Sequence, residues 1–203
     1  MYLRFGKRVC DIIIGLIALP FVLIIVAICA PLIYFEDKGP IFYNAPRVGK
    51  DGRDFTMYKL RSMKVNAPDL VMEDGSTYNG ADDPRMTRIG AFMRKASIDE
   101  MPQFLNVLKG DMSIVGPRPE IPHFVEQFRD EVPLYMIRHM VKPGMTGLAQ
   151  VSGYRGDTSI RGRIDCDIAY IENWTIWLDI RIILRTFTSL VNDETLPPLH
   201  REK

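Results

Sequence analysis

An apolar run near the N-terminus constrains this chain more than any other feature of its sequence. Residues 12–35 contain no charged side chain, and a helix of about 24 residues would be roughly 36 Å long, enough to cross the hydrocarbon core of a bilayer. Pro20 lies within the run, where it removes a backbone hydrogen bond and predicts a break or a kink. The sequence therefore predicts a membrane helix that is bent.

Basic residues flank this run on both sides. Arg4, Lys7 and Arg8 precede it, and it is followed by Lys38, Arg47, Lys50, Arg53, Lys59 and Arg61. By the positive-inside rule, both flanks prefer the cytoplasm. A helix that is broken at Pro20 and enters and leaves through the same face satisfies both, so we predict a re-entrant anchor over residues 1–36. A simple span and a cleaved signal peptide are the alternatives, although the run is too long for a signal peptide.

The remaining chain is polar and suits one compact domain. The full sequence has 26 basic and 25 acidic residues and a net charge of +1, so it lacks the electrostatic footprint of a nucleic-acid-binding protein. Two short apolar segments around the turn at 49–53 predict a β-hairpin, and residues 66–84 predict a surface loop. Helices are expected near 89–93, 100–109, 120–129, 134–140 and 176–191, the second ending at Gly110.

These elements predict an α+β, mostly helical fold. It comprises the membrane anchor (1–36), a compact helical cytosolic domain with a small hairpin (37–192) and a flexible tail (193–203). The last helix carries apolar residues at spacings of three and four, with Trp174 and Trp177 at its start. Such a helix suits either a membrane interface or the protein core, and the core is the commoner location for such a stripe. The fold is also expected to contain amphipathic helices at the interface.

Two adjacent carboxylates, Asp99 and Glu100, stand in the densest group of functional residue types. Pro102 favours a first helical turn, so a helix is expected to begin near Asp99 with Asp99 or Ser97 as its N-cap. In the simplest interpretation, Ser97 and Glu100 form a capping box with no further role. A carboxylate held ionised at a helix start can instead attack phosphorus, or hold Mg²⁺ against a diphosphate.

Several basic residues stand at loops that contain glycine or proline. Arginine can hold phosphate oxygens with two parallel hydrogen bonds, and flanking prolines lower the cost of ordering the loop. Each residue alone is typical of a solvated surface charge, but together with the acidic pair and the anchor they indicate a site for a polyanionic substrate beside a membrane. These residues are Lys59, Arg61, Arg85, Arg88, Arg118 and Arg155.

Residues 97–119, SIDEMPQFLNVLKGDMSIVGPRP, resemble the monotopic phosphoglycosyl transferases, the bacterial sugar transferases that start glycan assembly on polyprenyl phosphate. Further matches are KLRSM at 59–63, DPRMTRIG at 83–90 and KPGMTGLAQV at 142–151. The resemblance extends from the anchor to about residue 190 and is to the minimal single-domain form of the family.

The resemblance implies transfer of a sugar 1-phosphate from a UDP-sugar to polyprenyl (undecaprenyl) phosphate, with release of UMP. It places the chain in the bacterial inner membrane, with the catalytic domain on the cytoplasmic face. It also implies a re-entrant helix broken at a proline, here Pro20, although Leu19 stands where the family commonly has Ser. UDP-sugar, polyprenyl phosphate and membrane lipids are the expected partners, with no nucleic acid, and a second copy of the chain is a further candidate.

The resemblance also assigns the site residues. Asp99 and Glu100 would be the catalytic pair, with Mg²⁺ required and Asp99 as a metal ligand, and the residues that bind substrate phosphate would be Arg118, Lys59, Arg88 and Arg155. In the implied two-step mechanism, Asp99 attacks the β-phosphorus and the lipid phosphate then attacks the phosphosugar-enzyme. Two alternatives stay open: direct single-step transfer with both carboxylates on the metal, and a membrane scaffold without catalysis.

Overall fold

A computed structural model describes residues 5–68, 83–154 and 158–192, with side chains up to residue 188. The helices are α1 (Lys7–Glu36), α2 (Arg88–Lys95), α3 (Gln103–Lys109), α4 (Pro122–Glu131), α5 (Leu148–Val151), α6 (Ile160–Glu172) and α7 (Ile176–Asn192). The strands are β1 (Phe42–Val48), β2 (Asp54–Leu60), β3 (Ser113–Val115) and β4 (Gly144–Thr146). The mostly helical α+β prediction is confirmed. The predicted tail 193–203 and most of the predicted 66–84 loop lie outside the described residues.

Helix α1 is a single helix of 30 residues that contains Pro20 and Pro31. Pro20 therefore does not interrupt the helix. A proline removes one backbone hydrogen bond, and the turns on either side keep theirs, so the helix continues past it. Both prolines are exposed on the outer side of α1. A bend at Pro20 stays a prediction.

One face of α1 packs along the domain. Its buried residues follow spacings of four and seven, which places them on a single helical face: Lys7, Asp11, Gly15, Val22, Cys29 and Ile33. At Gly15 an added Cβ would lie 2.7 Å from Cδ2 of Leu108, so the absence of a side chain permits the close approach of α3. The opposite face exposes Ile13, Leu16, Ile17, Phe21, Leu23, Ile24, Ile28 and Leu32. The helix is long and apolar enough to cross a membrane, with a mean hydropathy of 3.2 over its most apolar window.

Three charged residues fix the N-terminal end of α1. Lys7 Nζ lies 2.6 Å from Oδ2 of Asp179 on α7. Arg8 donates to two carbonyl oxygens in the last turn of α3, at 2.5 and 2.7 Å, where a cation is favoured by the helix dipole. Asp11 accepts the backbone N–H of Ile114 at 2.9 Å. These contacts attach the start of α1 to α3, β3 and α7.

The C-terminal end of α1 is attached to the same domain. The Glu36 carboxylate accepts the backbone N–H groups of Arg88 and Ile89, at 2.6 and 3.0 Å, and so satisfies free donors at the start of α2. Arg61, directly after β2, forms an ion pair with Asp37 at 3.0 Å. Both ends of α1 are therefore bonded to one body.

The predicted hairpin is confirmed: β1 and β2 form an antiparallel pair in which Tyr43 lies opposite Lys59. Helix α3 ends at Gly110, as predicted, with a φ of 102°. The parallel pairing of β3 with β4 was not predicted, because strands of three residues are too short to show a period of two. The main core lies between α1, the two sheets, α6 and α7, and its buried residues are Met57, Val107, Met112, Ile114, Val115, Leu148, Val151, Tyr170 and Ile182.

Two further expectations need correction. The helix predicted near 134–140 is a 3₁₀ helix, Tyr135–Met140. Helix α7 does not turn its whole apolar stripe toward the core, since Trp177 is 70% exposed and Leu184 and Phe187 are also exposed. The core interpretation of that stripe is wrong for these residues, and their location at a membrane interface stays a prediction.

The contact between β3 and β4 requires glycine. An added Cβ on Gly144 would lie 2.1 Å from the backbone nitrogen of Gly116, and one on Gly116 would lie 2.5 Å from the Lys142 carbonyl oxygen. The neighbouring atoms belong to the backbone and cannot rotate away. The glycines allow the Gly116 N–H to reach the Thr146 carbonyl at 2.9 Å.

Gly144→Ala should destabilise the domain by about 3 kcal/mol, because the new methyl group overlaps backbone atoms. The measurement is the midpoint of thermal unfolding in detergent micelles. Gly52→Asn is the matched control: Gly52 has a φ of 71° with no atom within 4 Å of its added Cβ, and Asn tolerates that backbone conformation. Equal midpoints for the two variants would contradict the close β3–β4 contact.

Candidate active site

Asp99 and Glu100 lie in a 3₁₀ helix that directly precedes α3. The α-helix itself begins at Gln103, so the prediction that it starts near Asp99 is wrong by about one turn. The predicted capping box is absent, because Ser97 has a φ of 54° and its side chain makes no capping hydrogen bond. An N-cap residue needs extended backbone to direct its oxygen toward the first N–H groups.

Glu100 is held by two cations. Its Oε1 accepts from Lys59 Nζ at 2.7 Å and from Arg118 Nη2 at 2.8 Å. Burial opposes ionisation of Glu100, but Arg118 and Lys59 outweigh it and hold the pKa of this carboxyl group far below its usual range. Glu100 is therefore an ionised carboxylate that is already engaged within the protein.

Asp99 has a different environment. It is only 4% exposed, and its nearest cation, Lys59 Nζ, lies 4.0 Å from Oδ2. Burial raises the pKa of Asp99, Lys59 counteracts that effect, and the negative charge of Glu100 adds to it. The two adjacent carboxyl groups thus have pKa shifts in opposite directions. The ionised form of Asp99 is the less stabilised of the two.

Asn106 on α3 fixes the position of Lys59 through the strand. Its side chain is fully buried. Its Oδ1 accepts the backbone N–H of Tyr58 at 3.0 Å, and its Nδ2 donates to the carbonyl of Thr56 at 2.7 Å. Strand β2 is thereby held against α3, which places Lys59 beside the carboxylates. The sequence contained one signal of this role: Asn106 stands inside a predicted helix although asparagine is a poor helix former.

Arg118 lies on the loop that follows β3. Its backbone position depends on Arg138, whose Nη2 donates to the Arg118 carbonyl at 2.8 Å. Arg138 forms a buried ion pair with Asp167 at 3.0 Å. Burial raises the pKa of Asp167 to about 6, against the lowering influence of Arg138. The loop that carries Arg118 is thus held in place by the buried ion pair of Arg138 and Asp167, which the sequence analysis did not predict.

The remaining basic candidates fall in different places. Arg88 is exposed at the start of α2, and its side chain makes no hydrogen bond or ion pair among the residues that the structure describes. Arg94, on the same helix, is an electrostatic neighbour of Asp99. Arg155 lies outside the described residues. Of the predicted site residues, the structure brings together Asp99, Glu100, Lys59 and Arg118, and it adds Arg94.

The carboxylates fit Mg²⁺ only as part of a larger ligand set. Over 5–68, 83–154 and 158–192, no three His, Cys, Asp or Glu residues form a group that could hold a metal. Mg²⁺ commonly uses one or two carboxylates and completes its shell with water and substrate phosphates. Asp99, whose carboxylate makes no ion pair shorter than 4.0 Å, is the residue that fits this arrangement.

The site therefore combines a carboxylate bonded to two cations, Glu100, with the buried carboxyl group of Asp99, on a domain whose longest helix exposes an apolar face. This combination suits chemistry on a phosphate group beside a membrane. Comparison with known families agrees: the bacterial sugar transferase family matches residues 2–193, and the chain belongs to that family.

Individual relatives carry more specific names. The chain is 45% identical to the UDP-N-acetylgalactosamine-undecaprenyl-phosphate N-acetylgalactosaminephosphotransferase of Aeromonas hydrophila, over 92% of this chain and 44% of the relative. It is 41% identical to the UDP-glucose:undecaprenyl-phosphate glucose-1-phosphate transferase of Escherichia coli K12, over 93% of this chain and 41% of the relative. A protein of the same name from Caulobacter vibrioides is 39% identical, over 93% of this chain and 70% of the relative. The chain spans less than half the length of the first two relatives.

Arg138→Met should destabilise the domain by about 3–5 kcal/mol, because Asp167 is left buried without its partner. The free energy of unfolding in micelles measures this effect. Adding Asp167→Asn should restore part of the stability, since no charge then remains uncompensated. A double variant as unstable as Arg138→Met would instead assign the loss to the hydrogen bond with the Arg118 carbonyl.

Proposed function

We propose that the chain transfers a sugar 1-phosphate from a UDP-sugar to polyprenyl phosphate and releases UMP, as an early membrane step of glycoconjugate biosynthesis. The observation that carries the proposal is the pair Asp99–Glu100, with opposite pKa shifts, beside Lys59 and Arg118. The names of relatives support the substrate classes: each name contains a UDP-sugar, UDP-N-acetylgalactosamine or UDP-glucose, together with undecaprenyl phosphate.

In the proposed first step, a carboxylate oxygen of Asp99 attacks the β-phosphorus of the UDP-sugar. A bond forms between this oxygen and phosphorus, the bond from phosphorus to the bridging oxygen breaks, and UMP leaves with the electron pair. In the second step, an oxygen of the lipid phosphate attacks the same phosphorus and Asp99 regains its carboxylate. Asp99 needs no deprotonating base, since a carboxylate is already the nucleophile.

The neighbouring residues support this chemistry electrostatically. Arg118 is 43% exposed in its side chain and can present a free face to phosphate while it stays bonded to Glu100. Lys59 lies between both carboxylates and limits their repulsion of an incoming diphosphate. Glu100 orients the two cations. Mg²⁺, held by Asp99 together with substrate phosphates, would neutralise the charge of the diphosphate.

Single-step transfer is the second candidate mechanism, with both carboxylates as metal ligands. The contacts of Glu100 favour the two-step mechanism, because two cations already compensate this carboxylate. A scaffold without catalysis would gain nothing from a buried carboxylate such as Asp99, since burial of a charge costs stability.

We infer that the anchor is re-entrant. A helix of 30 residues is about 45 Å long, yet both of its ends are bonded to the same domain, through Lys7 to Asp179 and through Glu36 to the start of α2. A straight crossing would put these ends on opposite sides of the bilayer. The domain, whose nucleotide-sugar substrate is soluble, would lie on the cytoplasmic face of the bacterial inner membrane with the exposed stripe of α7 at the interface.

The test of the function is a screen of UDP-sugars with polyprenyl phosphate and Mg²⁺, following UMP. We expect turnover with at least one UDP-sugar, and loss of turnover when EDTA removes the metal, restored by added Mg²⁺. Protein that is folded by circular dichroism yet releases no UMP from any UDP-sugar would favour the scaffold.

Asp99→Asn should reduce turnover by about a thousandfold or more, because the nucleophilic charge is lost. Its unfolding midpoint should be unchanged or higher, since burial disfavours the ionised form that Asn replaces. Wild-type enzyme given UDP-sugar without lipid should release UMP stoichiometrically and gain the mass of one phosphosugar on Asp99. In the matched variant Glu100→Gln the adduct should still form, but more slowly. UMP release that strictly requires lipid, with no adduct, would establish direct transfer.

Single cysteines introduced at Tyr2 and Lys50, in a chain without its native cysteines, should react with an impermeant reagent from the same side of sealed vesicles. Both flanks of the anchor would then share one face. Labelling from opposite sides would establish a simple span. Pro20→Ala should shift part of the population toward that span, because it restores the missing backbone donor.

A further inference from the structure

Arg47, on β1, is a guanidinium that the proposed mechanism does not use. Within the part of the chain that the structure describes, its side chain donates only to the carbonyl of the preceding residue, Pro46, at 2.9 Å. It forms no ion pair with any carboxylate among the residues that the structure describes. The residue is only partly exposed. A cation that is partly removed from water without a partner is destabilising, so this position is poorly explained by stability alone.

The hairpin places Arg47 on the face that carries Lys59. In the β1–β2 register, Tyr43 lies opposite Lys59 and Arg47 lies opposite Phe55. Opposed residues share a face, and side chains along a strand alternate with a period of two. Positions 43 and 47 are therefore on the same face, and Arg47 and Lys59 project from the same side of the hairpin.

The end of β1 also lies beside the loop that carries Arg118. The backbone N–H of Val48 donates to the carbonyl of Glu120 at 2.9 Å, and these two residues form an isolated antiparallel bridge. Glu120 follows Arg118 by only two residues. The neighbour of Val48 in the strand, Arg47, is thus held close to this loop by backbone bonds.

The nearby carboxylates are already engaged. Glu100 is bonded to Lys59 and Arg118, and Glu120 forms an ion pair with Arg163 at 3.4 Å. Burial lowers the pKa of Arg47, Glu120 and Glu100 counteract that effect, and the like charge of Arg118 adds to it. Arg47 and Arg118 are therefore neighbouring cations, and the acids that influence both of them, Glu100 and Glu120, already have ion-pair partners.

We propose that Arg47 binds a phosphate group of the substrates and acts with Arg118 as the second guanidinium of one anion site. Two guanidinium groups on separate backbone segments can hold a phosphate or a diphosphate through several charge-assisted hydrogen bonds. The source of the phosphate rests on the proposed function: it is either the diphosphate of the nucleotide sugar or the head group of the polyprenyl phosphate.

The experiment uses the full chain in detergent micelles and three variants. Arg47→Gln removes the charge, Arg47→Lys keeps the charge but not the two-pronged geometry, and Arg53→Gln is the matched control. Arg53 is an exposed arginine beside the turn of the same hairpin. Calorimetric titrations with inorganic pyrophosphate and with UDP measure binding, and thermal unfolding checks the fold of each variant.

Arg47→Gln should weaken pyrophosphate binding by about tenfold to a hundredfold, as expected for loss of a charge-assisted contact. The pyrophosphate affinity of Arg47→Lys should lie between those of Arg47→Gln and the wild type, and that of Arg53→Gln should match the wild type. If Arg47→Gln fails to fold, Arg47→Lys decides by the same criterion, since it keeps the charge and most of the side-chain volume. Pyrophosphate affinity within about twofold of the wild type overturns the proposal, as does a wild type that binds no pyrophosphate.

Steady-state kinetics then identify the source of the phosphate. A raised KM for the UDP-sugar, with slower UMP release in the absence of lipid, assigns Arg47 to the nucleotide diphosphate. A raised KM for polyprenyl phosphate, with that release unchanged, assigns it to the lipid. A wild type that turns over no UDP-sugar would refute the proposed function, and the pyrophosphate titration would still decide the role of Arg47.

Discussion

One carboxylate oxygen, Oε1 of Glu100, joins the three segments that form the site. It accepts from Lys59 on β2 and from Arg118 on the loop after β3, while Glu100 itself belongs to the turn before α3. Both cations compensate this one oxygen. The adjacent Asp99 is buried, and the closest cation to its carboxyl group is Lys59, 4.0 Å away. The opposite pKa shifts of the two neighbouring acids thus follow from where the cations are placed.

Polar residues inside the domain hold this arrangement in place. Asn106 fixes β2 to α3, and Arg138 fixes the loop of Arg118 while Asp167 compensates its charge. Each is buried where apolar side chains would pack at lower cost. They give the site a defined geometry, which hydrophobic contacts alone define less well because they are non-directional. The relatives that name different sugars are all similar to this chain over nearly its whole length, which is consistent with a shared scaffold for the phosphate chemistry.

Local patterns in the sequence predicted the elements that depend on local physics. The uncharged run gave α1, the turn at 49–53 gave the hairpin, and Gly110 marked the end of α3. The carboxylate pair was found because two acids stand side by side at an expected helix start, and Arg118 because it stands between two prolines; the family resemblance implied their roles. The β3–β4 pairing, the Arg138–Asp167 pair and the place of Arg94 near Asp99 depend on contacts between distant segments, which leave no periodic signal in either segment. The helix start was misplaced because the left-handed backbone at Ser97 overrides its capping preference.

The ion pair between Lys7 and Asp179 joins residues 172 positions apart. During synthesis α1 emerges well before its partner on α7. The charge of Lys7 therefore lacks this partner until α7 has been made, and closing a loop of this length carries an entropic cost. Until then, α1 can form only its contacts with segments that lie nearer in the sequence, such as those of Arg8 with α3 and of Asp11 with β3. The order of synthesis therefore places the attachment of α1 to α7 last among the polar contacts described for this helix.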